Sequence, residues 1–174
     1  YSGGMITVHS WLTPRRIIEL AGPWNEQLTV DDDGEFFRRV ILNSNGIVYS
    51  EEAVNYYRKF KNGTSLSAQR GYKAMESILK SAELKRDYLL AASESPQAKK
   101  ALARLFREIE ISTYPLYEDL SKRAALNVSS MGGSDYLPTL GGYKIELIRR
   151  IFGWKAAKLI QHKIYNKYLY NNQA

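Results

Sequence analysis

Residues 28–40 have the sequence LTVDDDGEFFRRV, in which three consecutive aspartates and a glycine are followed by an amphipathic run. Apolar residues recur with helical spacing from Glu35 onward, which predicts a helix over residues 34–43. Three like charges at one point repel each other, so another interaction must offset the repulsion. A helix start, a bound metal ion or a chemical task for one carboxylate are the three alternatives.

The acidic triplet fits these alternatives unequally. Carboxylates in the first turn of a helix interact favourably with its dipole and its free N–H groups, by roughly 0.3–1 kcal/mol each. A calcium loop with Gly34 at its sixth position would put Val40 where a bidentate glutamate is needed, which argues against calcium. A carboxylate at a helix N-terminus can also serve as a general base that takes a proton from a hydroxyl.

The composition limits the class of protein. The chain has 174 residues and no cysteine, which excludes disulfides, a thiol nucleophile and thiolate metal sites. Charge is unevenly distributed: residues 1–70 contain 8 Lys+Arg and 8 Asp+Glu, whereas residues 71–174 contain 17 and 10. The later part therefore accounts for the whole net charge of +7 and is suited to an anionic partner or to a solvated helical surface.

The pattern predicts strands over residues 5–12, 46–50 and 53–60, with short helices between the first two. The expected fold class is therefore α+β and mostly helical: an α/β segment with two or three strands, then an α-helical extension. The expected domains are residues 1–67 and residues 68–174.

Helical spacing in the extension predicts helices over residues 68–92, 97–114, 116–126 and 143–170. The last of these is expected to be interrupted at Gly153, because glycine weakens a helix interior.

The runs GPWNE at 22–26, DDGEFFRR at 32–39 and GIVY at 46–49 together resemble the second half of the catalytic domain of family 2 inverting glycosyltransferases, which have the GT-A fold. That family has an acidic E-D-x-[DE]-[LF]-x-x-R motif after a G-G-F-D-E loop. Asp32 departs from it, since glutamate is usual there. The resemblance covers residues 1–60.

The resemblance implies that Asp33 is the general base, which deprotonates the acceptor hydroxyl as it attacks a nucleotide-activated sugar with inversion. Asp32 would help to position the base or the acceptor, and Arg39 would pair with an acidic neighbour. Further substrate-binding candidates are Asp31, His9, Ser10, Trp11, Trp24 and Arg58. Ordinary packing is an equal alternative for the two tryptophans, and an ordinary surface position is an alternative for Arg58.

In that family the donor is bound by an N-terminal nucleotide-binding half, whose Asp-x-Asp holds Mg²⁺ or Mn²⁺ on the diphosphate. No such half precedes Tyr1 and no metal site is expected within this chain, so we expect an incomplete hexosyltransferase that is inactive alone. The implied partners are a nucleotide-sugar donor and a glycan or lipid-linked acceptor. The implied setting is polysaccharide or cell-envelope synthesis in the cytoplasm, with a peripheral position at the inner face of the membrane as a further option.

Residues 143–170 form a basic and amphipathic stretch, which suits an anionic membrane surface or packing on the rest of the domain. Two other classes stay open for the whole chain. One is a basic helical module for nucleic acid, which is not favoured because no recognition motif is present. The other is a scaffold domain with a vestigial site.

Overall fold

The structure, a computed structural model, describes residues 6–56 and 69–171, with side chains up to residue 164. Within these ranges one turn of 3-10 helix, Val8–Ser10, is followed by six α-helices. The helices are α1 Arg15–Ala21, α2 Asp32–Leu42, α3 Tyr72–Ala92, α4 Pro96–Thr113, α5 Glu118–Ser130 and α6 Tyr143–Asn171. None of them is both long and apolar enough to cross a membrane.

The predicted strands are wrong. The described ranges contain no β-strand, so the partial GT-A segment with two or three strands is not seen. The 3-10 turn occupies the middle of residues 5–12, and residues 46–50 and 53–56 have no regular structure. Residues 57–60 and residue 5 lie outside the described ranges.

The physical reason is the lack of a pairing partner. A strand is stable only when a neighbouring strand bonds to its N–H and C=O groups, whatever the propensity of its side chains. Apolar and aromatic side chains of the predicted strands are instead exposed, including Val48 at 95% and Tyr56 at 90%.

The predicted helices of the extension are present as α3 to α6, with ends that differ from the prediction by up to four residues. The predicted interruption is confirmed, because Gly153 inside α6 has a φ of 81° and a ψ of 168°. A non-glycine residue adopts such a left-handed φ only at a cost.

The chain divides into two compact units, Tyr1–Ala98 and Lys99–Ala174. The functional division expected at residues 67 and 68 stays a prediction. In the first unit, Ile17 and Ala21 of α1 pack against Phe36 and Val40 of α2. Helix α3 packs along α2. Helix α2 is thus covered by α1 and by α3.

The second unit has a buried cluster, which consists of Ile111 of α4, Leu140 of the segment before α6, and Ala157 of α6. The backbone of Leu140 is fixed from two sides. Its N–H donates to Glu146 Oε1 at 2.7 Å, and its C=O accepts from Gln161 Nε2 at 2.7 Å. The segment that precedes α6 is therefore bound to α6 on both sides of the Gly153 kink.

Candidate functional site

The acidic triplet forms the beginning of α2, which starts at Asp32, two residues earlier than predicted. Asp31 is the residue before the helix and has a left-handed backbone, with a φ of 63°. Such a conformation is uncommon outside glycine and is maintained only where the surroundings fix it. Asp31 therefore needs contacts that hold it.

Helix α3 supplies these contacts. Ser81 Oγ donates to the Asp31 carbonyl at 3.0 Å and is 2.9 Å from Asp31 Oδ2. Lys85 Nζ forms an ion pair with the same carboxylate oxygen at 2.5 Å, and the lysine side chain is only 11% exposed. One carboxylate of the triplet is thus neutralised by a cation from another helix, which offsets part of the repulsion.

One turn earlier on α3, Ser77 binds the backbone that leads into the triplet. Its Oγ accepts the N–H groups of Thr29 at 2.9 Å and Val30 at 3.1 Å, and it donates to the Val30 carbonyl at 2.9 Å. A serine hydroxyl has one donor and two acceptor sites, so the bonding capacity of Ser77 is fully used. We call Ser77, Ser81 and Lys85 the α3 polar row.

Asp32 is fixed by an aromatic side chain. Trp24 Nε1 donates to Asp32 Oδ2 at 2.9 Å. The indole of Trp24 stacks on Phe36, with ring centroids 4.5 Å apart. The loop before α2 and the first turn of α2 are thereby joined through the tryptophan.

Glu35 is the most buried acid of this region, with an exposed fraction of 0%. It accepts two hydrogen bonds from Arg39, with Nε to Oε1 at 2.8 Å and Nη2 to Oε2 at 3.0 Å. Tyr88 of α3 donates its hydroxyl to Oε1 at 2.8 Å. We call Glu35, Arg39 and Tyr88 the Glu35 network.

The Glu35 network also holds the loop between α1 and α2. Arg39 Nη1 donates to the Ala21 carbonyl, and Nη2 donates to the Pro23 carbonyl at 2.9 Å. Arg39 therefore pairs with an acidic neighbour, as the sequence analysis expected of it. Its place among substrate-binding residues stays a prediction.

Two pKa values in the network are shifted. The hydrogen bonds from Arg39 to Glu35 raise the pKa of the guanidinium, whereas burial acts in the opposite direction. Burial raises the pKa of the Tyr88 hydroxyl, and its hydrogen bond to the Glu35 carboxylate raises it further. Near neutral pH, Arg39 is therefore a cation and Tyr88 a neutral phenol.

Asp33 differs from the other three acids. It is half-buried, and within the described ranges its carboxylate accepts only the N–H of Gly34, at 2.8 Å. Asp31, Asp32 and Glu35 each bind at least one side chain. Asp33 is therefore the carboxylate of this group that no side chain from the described residues holds.

Gly34 lies at a close approach, where a larger residue would force the Asp31 and Lys85 side chains to shift. A Cβ atom there would run into Asp31 Oδ1 and would lie 2.7 Å from Lys85 Nζ. The glycine thus leaves the space in which the Asp31–Lys85 ion pair forms next to Asp33.

The remaining predicted site residues are placed as follows. His9 and Ser10 lie in the 3-10 turn, where Thr7 Oγ1 is 3.3 Å from His9 Nε2 and 2.7 Å from Ser10 Oγ. Trp11 stacks on Phe37 of α2, with ring centroids 4.6 Å apart. Arg58 lies outside the described ranges, so its role in substrate binding stays a prediction.

Among the described residues, no group of three or more His, Asp or Glu side chains is arranged to hold a metal ion. At the acidic triplet, the Lys85 ammonium lies on the Asp31 carboxylate and the Trp24 indole on Asp32. These contacts occupy carboxylate oxygens that a cation would need. The Mg²⁺ or Mn²⁺ expected for sugar transfer stays a prediction.

Sequence reasoning missed the α3 polar row and Tyr88. Their positions at 77, 81, 85 and 88 recur at intervals of three or four residues and therefore lie on one helix face. The periodicity of apolar residues predicted the helix but did not include these polar ones. A polar stripe within a mostly buried helical face was the available signal.

The chain has no match among protein-family models, curated proteins or solved structures.

Proposed function

We propose that the start of α2 is the acceptor side of an inverting glycosyltransferase of the hexosyl-transferring kind, with Asp33 as the general base. One observation carries the proposal. Of the four acids at this helix start, Asp33 alone has a carboxylate with no side-chain partner among the described residues. This local geometry supports Asp33 as the base, and sugar transfer is what the resemblance of residues 22–49 to family 2 glycosyltransferases implies; neither requires the α/β architecture, which the described ranges lack.

The chemistry needs a carboxylate that is ionised, oriented and accessible. The free N–H groups at the N-terminus of α2 carry partial positive charge and interact favourably with carboxylates of the first turn, of which Asp33 is one. The N–H of Gly34 binds Oδ1 and orients the carboxylate. The other oxygen is then the one that accepts a proton.

In the proposed step, Asp33 takes the proton of the acceptor hydroxyl while the hydroxyl oxygen attacks the anomeric carbon of the donor sugar. The new C–O bond forms on the face opposite the leaving group. The bond from the anomeric carbon to the nucleoside diphosphate breaks, and the diphosphate leaves with the electron pair. Attack from the opposite face inverts the anomeric centre.

The other residues act by positioning. Asp32, fixed by Trp24, lies next to the base and is suited to bind another hydroxyl of the acceptor. The α3 polar row fixes the backbone that leads into Asp33, and the Glu35 network holds the side chain two residues after it. A base displaced by about 1 Å loses a large part of its effect, about a hundredfold in rate.

The test is transfer from a panel of nucleotide-sugars to simple glycoside acceptors with Mg²⁺ or Mn²⁺ present. The protein is used in the longest form that its source cells produce and also as the 174-residue chain. We expect nucleoside diphosphate release and a product of inverted anomeric configuration by NMR.

Asp33→Asn is the informative variant, since the amide keeps the shape and cannot accept the proton. We expect its transfer rate to fall by about 10²–10⁴-fold. Glu19→Gln on α1 is the matched control and should keep the parent rate, because Glu19 contacts only Arg15 among the described residues. An Asp33→Asn variant with the parent rate, or no transfer in any form, would refute the proposal and favour the scaffold alternative.

A further inference from the structure

Helix α6 has two apolar faces. One faces the core of the second unit, where Ile145, Ile148 and Trp154 pack against the buried cluster at Leu140. The other is exposed. Tyr143, Leu147 and Ile151 are exposed at 82%, 44% and 62%. Their spacing of four residues puts them in one row along the helix, which we call the α6 outer row.

Two cations border the α6 outer row. At 100° per residue, Lys144 lies on one side of the row and Arg150 on the other. Both are exposed, and neither forms an ion pair with an acid of the described ranges. The outer row is therefore apolar along its centre and positively charged along both edges.

The one acid of α6 does not offset these charges. Glu146 binds Arg149 at 2.6 Å and the N–H of Leu140 at 2.7 Å. The Leu140 N–H, followed by Arg149, holds the pKa of this carboxyl below its usual value. The negative charge of Glu146 is thereby compensated within the unit, and the field at the outer row is cationic.

We infer that the α6 outer row binds the surface of an anionic lipid bilayer, with the helix lying in the plane of the membrane. An exposed aliphatic row between cations matches the boundary between acyl chains and phosphate headgroups. A nucleic-acid backbone would use the cations and leave Leu147 and Ile151 without a role. The inference does not rest on the proposed transferase activity.

The test is co-sedimentation of the full 174-residue chain with phosphatidylcholine vesicles, with and without phosphatidylglycerol. We expect binding to the anionic vesicles at low salt, weaker binding at high salt, and little binding to neutral vesicles. Leu147→Gln/Ile151→Gln should lower the partition coefficient by about ten- to a hundredfold, since both side chains lose apolar contact. Lys144→Gln/Arg150→Gln should lower it by about thirtyfold at low salt.

Two control variants on other helices distinguish binding by the α6 outer row from non-specific adsorption of the protein to vesicles. Leu126→Gln on α5 removes an aliphatic side chain that is 72% exposed, and Lys100→Gln removes an exposed cation of α4. Each should leave the partition within about twofold of the parent. Circular dichroism of every variant should match the parent, because all substituted residues are exposed.

Three results would overturn the inference: no sedimentation with anionic vesicles at low salt, a Leu147→Gln/Ile151→Gln variant that sediments like the parent, or neutral vesicles that bind as well as anionic ones. A parallel titration with duplex DNA identifies the rival. DNA binding that needs Lys144 and Arg150 but not the aliphatic pair, without vesicle binding, would assign the surface to nucleic acid.

Discussion

Arg39→Met tests the Glu35 network most sharply. The guanidinium is the cationic partner of a carboxylate that is fully buried, and it also binds two backbone carbonyls in the loop between α1 and α2. Methionine has a similar length and fills much of the same space without charge. Among the described residues, the variant therefore leaves the buried Glu35 with only the hydroxyl of Tyr88 as a side-chain partner.

The expected cost follows from burial. Removing one partner of a buried ion pair typically costs 3–5 kcal/mol, because an uncompensated charge stays behind. The side chains of Arg39 and Glu35 are 16% and 1% exposed, so we expect Arg39→Met to lower the free energy of unfolding by about 3–4 kcal/mol at pH 7. With an m-value of about 1.5 kcal/mol per molar urea, the unfolding midpoint falls by about 2–3 M.

The assay is equilibrium urea unfolding monitored by tryptophan fluorescence. In a Trp154→Phe background the two remaining tryptophans, Trp11 and Trp24, both lie in the first unit and report on it alone. Arg15→Met is the matched control. Its partner Glu19 has the same i,i+4 separation, but the two side chains are 91% and 63% exposed. We expect the control to cost less than about 0.5 kcal/mol.

The double variant Arg39→Met/Glu35→Gln should recover part of the loss, because burying a neutral amide costs less than burying an unpaired carboxylate. An Arg39→Met variant no less stable than Arg15→Met would show that the network does not support the start of α2. A double variant less stable than Arg39→Met alone would show that the loss comes from packing and not from the uncompensated charge.

Three further predictions concern α3 and the first turn of α2. Ser77→Ala leaves two backbone N–H groups without their acceptor and should lower the urea unfolding free energy by about 2–4 kcal/mol; a loss below about 0.5 kcal/mol would contradict this contact. Gly34→Ala should destabilise the protein in thermal unfolding, although alanine is the better helix former by about 1 kcal/mol, because its methyl group meets the Asp31–Lys85 pair; a gain in stability would refute the close approach. Tyr88→Phe should flatten the loss of stability above about pH 10. The raised pKa of Tyr88 means that the unfolded chain releases this proton at a lower pH than the folded chain, so stability falls as pH rises. Identical stability-against-pH curves for variant and parent above about pH 10 would refute this prediction.

The helices could be predicted from the sequence because each has apolar residues at helical spacing. Met75, Leu79 and Ala82 of α3 are buried as the periodicity predicts. The absence of strands could not be predicted from sequence, because a strand-like pattern of side chains indicates only a preference. A strand forms only when a neighbouring strand pairs with it. Residues 46–50 have the composition of a strand and no partner among the described residues.

The site was predictable in part. The acidic triplet at a helix start followed from spacing, and an acidic partner for Arg39 was implied by the family resemblance. The lack of a side-chain partner at Asp33, in contrast to its neighbours, could not be predicted from spacing. It depends on contacts of the neighbours with Ser81, Lys85 and Trp24, and the first two of these lie about 50 residues further along the chain. Contacts between residues this distant in sequence have no local signature.

The central claim is that Asp33 is held for chemistry and not as a helix cap, and it is tested by two measurements on Asp33→Asn. The amide oxygen can still accept the N–H of Gly34, so the account predicts that the unfolding free energy changes by less than about 1 kcal/mol. The rate of sugar transfer is predicted to fall by at least about a hundredfold. A variant that loses clearly more than about 1 kcal/mol of unfolding free energy, or that transfers sugar at the parent rate, would contradict the account.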